Sequence, residues 1–111
     1  MQEEKNEVKE IQSTENWLKS IFNINRQIDF ERECAQCSLK RIEELEKQKE
    51  EIYKMILSIE KPEYKMILHK RYIQGKKWEE IEEDLHYASQ HVHRLHKKAI
   101  MEIHKLRKGQ R

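Results

Sequence analysis

The stretch Trp78-Glu-Glu-Ile-Glu-Glu-Asp-Leu-His-Tyr-Ala-Ser-Gln-His-Val-His-Arg-Leu-His-Lys97 decides how this chain is read. Ile81 and Leu85 give a short helix its buried face. His86, Tyr87 and Ala88 make a tight connection, with Tyr87 plugging the turn. Ser89 suits the cap of a following helix, because its hydroxyl accepts from a backbone N–H that the first turn leaves without a partner. Val92 and Leu95 then fasten the second helix across the first. This is the spacing of a helix-turn-helix, in which the second helix enters the major groove of duplex DNA.

Burying Val92 and Leu95 leaves Ser89, Gln90, His93, Arg94 and Lys97 on the outer face. An arginine can take guanine O6 and N7 together, and a glutamine can take adenine N6 and N7. Ser89, Gln90, His93 and Arg94 are therefore the expected base contacts. Lys97 and Lys98, with His91, and Lys76 and Lys77 ahead of the supporting helix, are the expected phosphate contacts.

Working outward, Pro62 fits the first turn of a helix, where its missing N–H is not needed. Ile67, Leu68 and Tyr72 give that helix an apolar face, and Gly75 ends it in a left-handed cap. The last helix runs to about Leu106, burying Val92, Leu95, Ala99 and Ile103. Upstream of Pro62 the apolar residues step by three and four. Ile21, Ile28, Ala35, Ile42, Lys49 and Ile56 share one heptad position; Trp17, Ile24, Glu31, Ser38, Leu45, Ile52 and Ile59 share the other. That is a coiled-coil seam with a weak centre. It fits either one long helix paired with a second chain, giving a homodimer, or a break near Glu33 to Ser38 that folds the arms into a hairpin. The expected fold is all-α: a helical coiled-coil or hairpin arm over residues 1–60, then a small three-helix domain over residues 61–111.

Composition agrees with helices. Charged residues make up 40% and hydrophobic residues 36%, with two Gly and one Pro, too few for a fold rich in turns or sheets. The net charge of +2 hides a division. Residues 1–60 hold 10 Lys and Arg against 14 Asp and Glu; residues 61–111 hold 13 against 7, and all six histidines. A basic half on a nearly neutral chain points to a polyanionic partner for that half. No apolar run is long enough to span a membrane, the first ten residues lack the features of a secretory leader, and two cysteines do not make a disulfide scaffold. The expected location is the cytoplasm.

The segment Tyr64-Lys-Met-Ile-Leu-His-Lys-Arg-Tyr-Ile-Gln-Gly-Lys-Lys-Trp-Glu-Glu-Ile81, followed by Tyr87-Ala-Ser-Gln-His-Val-His-Arg-Leu-His-Lys-Lys-Ala99, resembles the region-4 domain of bacterial sigma factors. It is more similar still to small phage-encoded regulators with sigma-like helix-turn-helix domains, including the RinA-like and ArpU-like late activators. The resemblance covers roughly residues 62 to 106. It implies sequence-specific binding of duplex DNA, base reading by Ser89, Gln90, His93 and Arg94, a role in phage or prophage transcription, and RNA polymerase as a further partner. The family has a small residue where Glu82 stands and glycine where His86 stands; histidine tolerates a left-handed backbone better than most residues. No second sigma-like domain is visible, so the expectation is an accessory activator or repressor rather than a complete sigma factor.

Other signals carry less. Cys34-Ala-Gln-Cys37 has redox or zinc spacing but lacks a second ligand pair or a βαβ context. His91, His93, His96 and His104 have no Cys or carboxylate at close spacing for a metal, so DNA contact that strengthens as pH falls through about 6.5 is the expectation for them. No nucleophile–base pair, phosphate loop or carboxylate pair stands out, so a non-enzyme without cofactors is expected. Two further readings stay open: a DNA-packaging factor like a small terminase subunit, and a coiled-coil adaptor that binds protein only.

Overall fold

The computed structural model describes residues 2–34 and 39–109, with side chains from Val8 onward. The described residues are all-helical. Helix α1 spans Gln2–Glu33 and α2 spans Leu39–Leu57. Helix α3, Pro62–Leu68, continues through a π-helical turn at His69–Ile73. Helices α4, Trp78–Leu85, and α5, Ser89–Gly109, complete the chain. No helix among them is long and apolar enough to cross a membrane.

Of the two arrangements the seam allows, the hairpin is the one formed. Leu18, Ile21, Ile24 and Ile28 of α1 share a core with Leu45, Ile52, Met55 and Ile56 of α2. Trp17 lies beside Met55 and Phe30 beside Arg41, so the two helices run antiparallel, and Arg32 donates to Glu46 at 2.7 Å and Arg41 to Gln27 at 3.0 Å between them. Ala35, Ser38 and Cys37 lie outside the described residues. The same core runs on past Pro62. Leu68 and Tyr72, and Ala99, Ile100 and Ile103 of α5, belong to it.

The punctuation after the hairpin follows from local chemistry. Lys61, ahead of proline, is extended at φ −73°, ψ 118°, because the pyrrolidine ring crowds out the helical conformation. Gln74 N–H reaches His69 O at 2.9 Å, a π-type bond, and Lys76 N–H reaches Lys70 O, six residues back, at 3.0 Å. Gly75 makes that reversal possible at φ 68°. His86 is the other left-handed residue, at φ 57° and ψ 38°. Around it Tyr87 N–H bonds Glu82 O at 3.2 Å and His86 N–H bonds Glu83 O at 3.4 Å, which closes α4 as a Schellman motif.

Helix α5 is common to both parts of the molecule. Near its end, the His104 ring bonds Thr14 Oγ1 at 3.2 Å and Glu10 at 3.0 Å, and Lys108 meets Glu10 at 3.4 Å. Arg107 lies 4.2 Å from the centre of the Trp17 ring. The hydrogen bond from His104, and then Lys108, hold the Glu10 carboxyl below its usual range.

Candidate nucleic-acid interface

Ile81 and Val92 are completely buried and Leu95 nearly so, while Leu85 and Tyr87 are half-buried. These residues hold α4 and α5 together across the three-residue turn His86–Ala88. Ala88 O accepts from Val92 N–H at 3.0 Å, so Ala88 rather than Ser89 holds the cap position and the helix begins at Ser89, one residue earlier than the sequence suggested. Glu82 is half-buried, with no cation against it among the described residues.

The predicted base contacts Ser89, Gln90, His93 and Arg94 are all exposed and lie along one side of α5. Lys97 and Lys98 continue that side, and His91 flanks it with its ring edge-on to Tyr87 at 4.5 Å. No carboxylate lies between Leu85 and Met101 in the sequence. Among the described residues no acidic side chain pairs with Arg94, Lys97 or Lys98. Lys77 is exposed just before α4, and its backbone N–H is bonded by Glu80 at 3.2 Å.

Two of the sequence expectations are revised. Lys76 is held by Asp84, which Lys70 also approaches at 3.4 Å. The hydrogen bond from Lys76 keeps the Asp84 carboxyl below its usual range, so Lys76 ties the turn to α4 rather than standing free for a phosphate. His96 and His104 do not face outward with His93. His104 is taken up by Thr14 and Glu10, as described above. His96 is buried, shares a 2.8 Å hydrogen bond with the Tyr72 hydroxyl, and is pushed down to about 4, mainly by burial and then by the charges of His93 and Arg71. It stays neutral at neutral pH. Burial raises Tyr72 in turn, so its phenol keeps its proton.

His96 belongs to a closed ring of side chains behind the exposed face. Phe22 of α1 stacks on Tyr72 at 5.7 Å, and Tyr72 on His96 at 5.9 Å. His96 and Trp78 meet nearly at right angles, 4.6 Å apart. Arg71 closes the circuit, 4.8 Å from the Trp78 ring and 5.5 Å from Phe22, while donating to Lys76 O at 2.9 Å. In the sequence Tyr72 stands out as part of an apolar helix face, and Arg71 and Trp78 only within the segments that carry the resemblance. Their joint role needs Phe22, fifty positions upstream, which lies outside the heptad seam and gave no signal. Among the described residues no group of metal-ligating side chains converges. Compared with models of known protein families, with characterised proteins and with solved structures, the chain finds no match.

Proposed function

We propose that the chain binds duplex DNA as a helix-turn-helix protein, with the first turns of α5 in the major groove and α4 bracing them. The observation that carries this reading is the exposed side of α5. Ser89, Gln90, His93, Arg94, Lys97 and Lys98 stand together on a carboxylate-free stretch, with the cations free of acidic partners among the described residues. Exposed cations beside hydrogen-bonding side chains on one helix suit phosphates and base edges together. The similarity of residues 62 to 106 to sigma-like phage regulators supports a role in phage or prophage transcription.

Binding of the purified chain to random and genomic-fragment duplexes at two salt concentrations tests the proposal. Affinity should fall steeply with salt, by a slope that counts the phosphates neutralised. One fragment should be preferred, and Arg94→Ala should cost about 1–3 kcal/mol on it and less on random DNA. Absence of binding at low salt would leave a protein-binding helical module.

A further inference from the structure

The exposed residues of α5 are not equally free to move. Among the described residues no aromatic ring lies under Arg94, whereas the His93 ring lies 5.2 Å from the Trp78 ring, tilted by 58°. Trp78 is itself immobilised. Arg71 covers it at 4.8 Å, His96 meets it nearly at right angles at 4.6 Å, and both belong to the half-buried circuit of side chains that reaches Phe22. His93 is thus an exposed side chain whose orientation is set by a half-buried indole from the neighbouring helix.

We infer that His93 is a pre-positioned reader of a guanine, and that Trp78 is the positioning residue that makes it one. This rests on the DNA-binding reading above. A flexible side chain must be ordered when it binds, at a cost of about 0.5–1.5 kcal/mol; a ring already held in place avoids most of that. Orientation also decides what the ring can discriminate. An imidazole offers an N–H donor whether neutral or protonated. In the major groove guanine presents two adjacent acceptors, N7 and O6, while adenine and thymine present one each and cytosine none. A donor fixed at the N7 position meets a second acceptor, O6, beside it on guanine but an amino donor beside it on adenine, so guanine suits it best. Arg94, the next residue, takes the same base type, so the target site should carry neighbouring G·C pairs, with an A·T pair opposite Gln90.

The test selects the preferred site of the full chain from a randomised duplex pool, then measures affinity for every single-base variant of that site. The wild type is compared with His93→Ala, Trp78→Leu and Trp78→Phe, with helicity checked for each. His93→Ala should lose discrimination at one G·C pair by roughly 5- to 150-fold, with affinity for random DNA unchanged. Trp78→Leu should lose discrimination at the same pair, and Trp78→Phe, which keeps a ring behind His93, should restore much of it. An equal loss on all sequences for His93→Ala would make it a phosphate contact and overturn the inference. So would discrimination that survives Trp78→Leu in a folded variant, or a site without a G·C pair at that position. A wild type that selects no site and binds no duplex overturns the DNA-binding reading itself.

Discussion

The two halves of α5 are made of the same residue types and have opposite surroundings. Near its start Arg94, Lys97 and Lys98 stand exposed without acidic partners among the described residues. Near its end Arg107 lies on Trp17, Lys108 and His104 meet Glu10, and Lys105 approaches Glu102 at 3.9 Å. The buried face changes too. Val92 and Leu95 face the turn and α4, whereas Ala99, Ile100 and Ile103 join the core of the hairpin. Charge content alone therefore does not mark an interface. A cation with a local partner holds the fold together, and a cation without one remains available to a ligand.

The largest effect that could break this division lies in the distal half. Ile103→Ala, at a fully buried position, should lower unfolding free energy by about 2–5 kcal/mol. The affinity of the molecules that remain folded for DNA should not change. Chemical denaturation paired with binding at low temperature checks both, and a loss of affinity in folded protein would show that the halves are not separable. His96, at the joint between them, gives the next effect. Its folded value, about 4, lies below the value of an exposed histidine near 6.5, so only the unfolded chain takes up a proton between the two. Its contribution is complete above about pH 6.5 and is lost as pH falls toward 4, about 3 kcal/mol in all. Denaturant midpoints at pH 7 and 4.5 for wild type and His96→Gln isolate it from the carboxylates, and the variant should show the weaker acid dependence.

Charge substitutions sharpen the contrast at lower cost. Lys97→Ala with Lys98→Ala should lower the salt slope of DNA binding by about 2 and leave stability nearly unchanged. The distal pair Lys105→Ala with Lys108→Ala should leave the slope as it is. A matching drop for both pairs would mean that DNA follows the whole helix. The smallest effect is expected from Arg107→Ala, which removes the contact with Trp17. It should cost about 0.5–1 kcal/mol of stability and alter Trp17 fluorescence, with DNA affinity untouched.

Much of the C-terminal half was legible because its boundaries are chemical. Pro62 starts a helix, Gly75 ends one, and His86 takes the left-handed position that would otherwise call for glycine. Ile67, Leu68, Tyr72, Val92, Leu95, Ala99 and Ile103 were picked out by period, and all are buried. The hairpin was not decidable in advance, because a heptad seam records that a helix packs against another and not whose helix it is. Leu18 and Met55 flank the seam, yet belong to the same core as its residues. The fates of Lys76, His96 and His104 depend on groups carried by other elements of the fold. Helical spacing gives a residue's direction around its own axis, but Asp84, Tyr72 and Thr14 reach their places only through the fold.

The continuity of the core across Pro62 bears on how this chain can be recombined. Cut there, the C-terminal fragment would carry Leu68, Tyr72, Ala99, Ile100 and Ile103 as a bare oily strip, and Trp78 would lose the Phe22 end of its support. A cassette that can be grafted onto other proteins needs a surface already sealed on every side. This one is sealed by its own N-terminal hairpin, so the two halves should be inherited, truncated or fused as a single piece.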